Sequence, residues 1–152
     1  MNNSVDESVL YAQKYIEDLL SFFGINLEVS SSLDEDVIQI DIPSTHLNGF
    51  LIGQHGDNMR AFQYLTSTAL KNQQFSYFRV NIDIANYKKQ RAERLLEKAQ
   101  TWIEQVKESK QPLHLEPMNS ADRREIHKFA ADNNIKSESV GFGKDRHIVL
   151  EP

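Results

Sequence analysis

Two glycines three apart, Gly53 and Gly56, stand in "GFLIGQHGDNMRAFQYLTSTAL" between a short apolar run and a helical pattern. Glycine tolerates positive φ and carries no Cβ, so such a loop lets a bulky anionic chain lie against the main chain where the next helix begins. Free N–H groups and the positive end of the helix dipole favour phosphate there. Gln54 and His55 inside the loop, with Asn58 and Arg60 just after it, are the side chains within reach. Taken alone, the spacing marks an ordinary tight turn far more often than a phosphate cradle. The run Arg123-Arg124-Glu125-Ile126-His127-Lys128 makes a second set. Arg123 and His127 lie four apart on a helix and share a face, as do Arg124 and Lys128 one position round. Arginine can fork onto phosphate or stack beneath a base, and histidine can donate or stack as well. Lys144 and Arg146, beside the turn at Gly141 and Gly143, extend the same basic patch. A helix surface in which Arg123 pairs with a local acid and His127 packs fits the same pattern.

No residue is assigned to catalysis or to metal binding, and no cofactor is expected. His46, His55, His114, His127 and His147 are scattered, without the His-x-x-x-His or Glu-x-x-His spacing of a zinc or di-iron site, and read as isolated surface or edge histidines. The serines at 30–32, 137 and 139 lack a Gly-x-Ser-x-Gly elbow. With zero cysteines no thiol chemistry, disulfide framework or thiolate metal site is available. Trp102, Phe22 and Phe23 fall on apolar stripes and read as core.

The elements that must carry these residues follow from periodicity. Val5, Val9, Ala12, Ile16, Leu19, Leu20 and Phe23 keep helical spacing up to Gly24. "INLEVS" at 25–30 and "DVIQIDI" at 36–42 alternate and predict an antiparallel hairpin, with "SSLDED" as its turn. Pro43 ends the second strand; a short helix is expected over 44–51 and a longer one after Gly56, with Met59, Phe62, Leu65, Ala69 and Leu70 inward. "FRVNIDIA" at 78–85 predicts a third strand. Asn86 can cap a long helix to about Lys110 with its stripe through Ala92, Leu95, Leu96, Ala99, Trp102, Ile103 and Val106. A short strand at 112–117, a helix from Asn119 or Ser120 to about Asn133, and two strands around Gly141 and Gly143 complete the chain.

Composition sets the class. With 152 residues, 39 % apolar and 26 % charged, the chain suits one medium domain or two small ones. Residues 1–85 hold 4 Lys/Arg against 11 Asp/Glu, and residues 86–152 hold 13 against 11, so a net charge of -5 conceals an acidic first half and a slightly basic second. That asymmetry suits two modules with different surfaces, or an acidic solvated face at one end. The N-terminus has acids where a signal peptide carries basic residues, and no run of about 18 apolar residues occurs, so a cytoplasmic protein without a membrane segment is expected.

The glycine block, "RVNIDIANYKKQRAERLLEKA", "LEPMNSADRREIHKFAADN" and "SVGFGKDRHIVLEP" together resemble the bacterial Jag family, also called KhpB, over about residues 25–152. The resemblance implies an α+β protein: a type II KH domain, α-β-β-α-α-β, over 1–85, joined by a long helix to a small α/β Arg-x-x-x-His domain with a three-stranded sheet, over 86–152. It implies single-stranded RNA binding without catalysis, as an RNA regulator or chaperone. The loop from Gly53 through Gln54 and His55 to Gly56, with Asn58 and Arg60, would clamp the backbone of about four nucleotides. Arg123, Arg124, His127, Lys128, Lys144 and Arg146 would form the second contact. A small KH-domain partner, or a second copy of the chain, is implied as well. Two features depart from the family pattern. The loop carries Gln54-His55 followed by Asp57, a helix N-cap with negative charge, where a basic residue is common, and the extra N-terminal domain of many Jag proteins is not seen. A protein-pairing adaptor, with RNA held by the second module alone, is the alternative reading.

Overall fold

The chain divides into two compact units, Met1–Lys88 and Lys89–Pro152, each with its own apolar core. The computed structural model describes residues 4–152, so the first three residues of the expected 1–85 domain lie outside the described residues.

In the first unit, α1 (Val5–Ser21) opens with a capping box: Ser4 Oγ accepts the Glu7 N–H at 3.2 Å and the Glu7 carboxylate accepts the Ser4 N–H at 3.1 Å. It closes where Gly24, at φ 77°, lets the Ile25 N–H reach back to the Leu20 carbonyl at 3.1 Å. Its buried face is Ser8, Ala12, Ile16 and Leu20. β1 (Ser30–Asp34) and β2 (Val37–Ile42) pair antiparallel, β2 and β3 (Arg79–Ile84) pair parallel, and the sheet order is β1-β2-β3. The parallel register sets Ile38, Ile40 and Ile42 beside Val80, Ile82 and Ile84, a continuous apolar layer under the helices. Between β2 and β3 lie α2 (Asn48–Ile52), a single tight helical turn over Gln54–Gly56, and α3 (Asp57–Asn72).

Several local expectations are corrected. The first strand is not at 25–30 but at Ser30–Asp34, and the turn is only Glu35 and Asp36, with Glu35 at φ 54°. "INLEVS" buries Ile25 and Val29 against α1 instead of forming a ladder, and the Val29 N–H goes to the Glu17 carboxylate. The short helix starts at Asn48 because Asn48 Oδ1 accepts the Thr45 N–H at 2.7 Å and its amide donates to Ser44 Oγ at 2.8 Å, occupying the groups an earlier start would need. In α3, Leu65 is 44 % exposed and Thr66 takes the buried place, its hydroxyl satisfied by the Phe62 carbonyl at 2.8 Å. Phe22 and Phe23, likewise expected in the core, are both exposed.

α4 (Tyr87–Ser109) opens at the unit boundary and buries Ala99, Ile103 and Val106 in the second core. Asn86 does not cap it. That residue sits at φ 56°, and it is Asp83 that accepts the Lys88 N–H at 3.2 Å. β4 (Leu113–His114), α5 (Ser120–Asp132), β5 (Lys136–Val140) and β6 (His147–Glu151) complete an antiparallel sheet of order β4-β6-β5. Ile148 and Leu150 pack with Ile126 and Ala130 of α5, and the register places Ser137 and Ser139 on that same face. Among the described residues no helix is long and apolar enough to cross a membrane.

Candidate functional site

The glycine turn is shaped by its own neighbours. Gly53 has φ 73° and ψ -178°, a region that essentially only glycine occupies. A Cβ there would stand 2.8 Å from Asn58 Cγ and 2.9 Å from the Asn58 nitrogen. Gly56, at φ 78°, would place a Cβ 3.2 Å from the Tyr87 ring. Both glycines are therefore demanded by the turn before any ligand is considered. Asn58 donates to the Phe50 carbonyl at 2.7 Å and ties α3 back to α2. Asp57 is the first residue of α3 and not its cap; Gly56 holds that position and no side chain caps the helix. The Asp57 carboxylate pairs instead with Arg60, which also donates to the His55 carbonyl at 2.9 Å. Both members of that pair are more than half exposed, so it contributes under about 1 kcal/mol and Arg60 can exchange Asp57 for another anion. Gln54 and His55 are exposed on the turn, with His55 itself at φ 55°.

The second unit gathers its cations differently. Asn119 caps α5, accepting the Asp122 N–H at 2.8 Å, and so sets the first turn from which Arg123 projects. Asp122, the nearest acid in sequence, is taken by Arg91 of α4 in a two-point fork of 2.6 and 3.2 Å. Among the described residues Arg123 thus has no carboxylate partner, and it donates to the Met118 carbonyl. The alternative in which Arg123 pairs with a local acid is not what the fold adopts. His127, one turn on, is held at both ring nitrogens: Nδ1 lies 2.7 Å from Ser137 Oγ and Nε2 lies 2.7 Å from Ser139 Oγ. Burial pushes its pKa below the ordinary histidine value, and the guanidinium groups of Arg123 and Arg146 push it the same way. His127 is therefore a neutral, fixed imidazole at pH 7 beside two cations.

Arg146 donates to the Gly141 carbonyl at 3.2 Å. Arg123 and Arg146 each spend part of a five-donor guanidinium on a backbone carbonyl, which orients the fork and leaves donors for a ligand. Arg124, Lys128 and Lys144 join no ion pair among the described residues. Arg123, His127 and Arg146 thus form one electrostatic cluster, with Arg124 and Lys128 on the same helix and Lys144 on the neighbouring turn.

Sequence reasoning missed the supporting residues. Ser137 and Ser139 offer no nucleophile signal, yet strand alternation in β5 sets both toward α5. Arg91 and Asp122, far apart in the chain, carry no local signal. The histidines are also less isolated than expected: His114 Nδ1 and His147 Nε2 meet at 3.2 Å, while His147 Nδ1 lies 2.9 Å from the Asp145 carbonyl. Among the described residues no group of three or more His, Cys, Asp or Glu is placed to hold a metal ion.

Residues 93–152 match the R-3-H domain family, the domain named for an arginine and a histidine with three residues between them. Across a longer stretch the chain is similar to proteins named RNA-binding protein KhpB. It is 36 % identical to that of Bacillus subtilis (strain 168) over 112 residues, covering 69 % of this chain and 54 % of the relative. To that of Clostridium symbiosum it is 28 % identical over 141 residues, 91 % of this chain and 64 % of the relative. To that of Streptococcus pneumoniae serotype 2 (strain D39 / NCTC 7466) it is 25 % identical over 151 residues, 99 % of this chain and 46 % of the relative. The chain therefore spans about half to two thirds of the length of these relatives.

Proposed function

We propose that this chain is a cytoplasmic single-stranded RNA-binding protein of the Jag/KhpB kind, a regulator or chaperone of RNA that performs no catalysis. The observation that carries the reading is the cluster of Arg123, His127 and Arg146 on the unit that matches the Arg-x-x-x-His domain family. Two guanidinium groups without carboxylate partners among the described residues, oriented by backbone carbonyls around a neutral imidazole, form a receptor for phosphate. Arg124, Lys128 and Lys144 add sequence-independent attraction.

Residues 1–85, the bulk of the first unit, are proposed as a type II KH domain, and the element order α-β-β-α-α-β supports that reading. Its Gly53–Gly56 turn would take backbone through the N–H groups at the start of α3, with Gln54, His55, Asn58 and Arg60 at the edge. The linking helix and Arg-x-x-x-His domain occupy residues 86–152. A second reading makes the first unit a pairing module for another KH protein or a second copy of this chain. It is favoured by the engagement of Arg60 with Asp57 and by the exposed Phe22 and Phe50 on that unit.

Ultraviolet cross-linking of an unstructured RNA to the whole chain, followed by peptide mapping, tests both. Cross-links in 49–60 and in 118–147 are the expected result. Cross-links in the second segment alone would favour the pairing module. None in either would end the RNA reading.

A further inference from the structure

We propose that Phe142 is a stacking platform for one unpaired base, set beside the backbone-holding Arg123 and Arg146; the inference deepens the RNA reading and rests on it. Phe142 is 90 % exposed, above Phe22 at 83 %, and takes no part in the second unit's core. It occupies the turn between β5 and β6, where glycine, asparagine and aspartate are the usual choice and a bare phenylalanine has no structural reason. The backbone beneath it is fixed. Gly141 is at φ 87°, where a Cβ would meet the Asp145 carbonyl at 3.1 Å, and Gly143 is at φ 57°. The Asp145 N–H donates to the Phe142 carbonyl at 3.2 Å, the Arg146 N–H to the Gly143 carbonyl at 3.3 Å, and the Arg146 guanidinium to the Gly141 carbonyl. A ring held out on a braced turn loses little conformational entropy when a planar partner lands on it.

Topology brings this ring to the cationic end of the unit. The Ile135 N–H bonds the Ala130 carbonyl, so β5 starts against the C-terminal end of α5 and runs back along it. His127 meets Ser137 and Ser139, and one turn further back on α5 lies Arg123, in the direction of Gly141 and Phe142. Arg146 joins both sides, charging the surroundings of His127 and bracing Gly141. Lys144 is exposed on the same turn; Asp145 is the one acid within it. An exposed apolar ring flanked by cations fits an unpaired base on a phosphate chain better than an apolar protein surface, because the base offers a π-face and the chain its counter-charge.

The test compares wild type, Phe142→Ala, Phe142→Leu and Phe142→Trp in the full chain. Each is titrated by anisotropy with a single-stranded RNA of about 10 nucleotides and with an abasic strand of equal length. Stacking predicts that Phe142→Ala weakens RNA binding about tenfold or more, that Leu does not restore it, and that Trp does. On the abasic strand wild type and Phe142→Ala should bind equally. Wild-type RNA affinity in Phe142→Ala, with Arg123→Ala impaired, would overturn the base platform while leaving RNA binding standing. An equal loss on both strands would overturn it too, assigning the effect to the turn's conformation. Unchanged RNA affinity with lost self-association would assign the ring to a protein contact. No RNA binding by wild type would bring down both readings.

Discussion

His127 is the residue whose surroundings say most about how the site is built. Its pKa is lowered from 6.5 by burial and then by Arg123 and Arg146, so the folded chain resists a proton that the unfolded chain accepts. As pH falls through about 6.5 the unfolded state binds that proton first, so stability present above this pH is lost below it. Denaturation at pH 7.5 and 5.5, read by Trp102, should show a pH-dependent loss that is smaller in His127→Gln. An equal loss in both proteins would mean that His127 is not the group responsible. Gly53 carries a different kind of constraint. With φ 73°, ψ -178° and Asn58 in the way, Gly53→Ala should destabilise the first unit by about 1–3 kcal/mol, measured by thermal unfolding in circular dichroism. Gly143→Ala, with nothing within 4 Å of its Cβ, should cost less.

At the scale of elements, α5 is the part that presents the site, and its start depends on Asn119. Asn119→Ala removes the cap on the Asp122 N–H and should lower the stability of the second unit by about 1 kcal/mol, read by Trp102 fluorescence in denaturant. Most elements were legible because each carries its own period: the triple isoleucine of β2, the Val80-Ile82-Ile84 of β3 and the Ala99, Ile103 and Val106 of α4 face one way, although Ala92 and Leu96, expected on the same stripe, are exposed. β1 was not legible, since a serine-rich edge strand has almost no hydrophobic signal, while the alternating "INLEVS" beside it spends its apolar residues on α1. The Arg123 and His127 pairing on one face was readable from their spacing. What holds them was not, because Ser137 and Ser139 reach that face only through tertiary contacts.

Over the whole molecule the charges divide as the two units do. Met1–Lys88 holds 5 Lys/Arg against 11 Asp/Glu and Lys89–Pro152 holds 12 against 11, so the proposed attraction of an anionic strand falls to the second unit. Arg123→Ala should weaken binding across RNA sequences and reduce the salt slope by about 0.7, the share of one phosphate on a single strand. Replacing Gln54→Asp and His55→Asp together should leave the fold intact, because both side chains are exposed and aspartate tolerates the positive φ at 55. It should still weaken binding, by placing negative charge at the start of α3.

If both units hold one strand, RNA length is the variable that reveals it. Unstructured RNAs of about 4 to 25 nucleotides, titrated at fixed salt against wild type, Arg123→Ala and the double aspartate variant, make the most direct test. In wild type, affinity should step upward by about a hundredfold once the strand reaches both units, since the second contact becomes intramolecular. That step should be missing from both variants. A smooth, shallow rise with length, the same in all three proteins, would contradict a chain that binds one strand with two units.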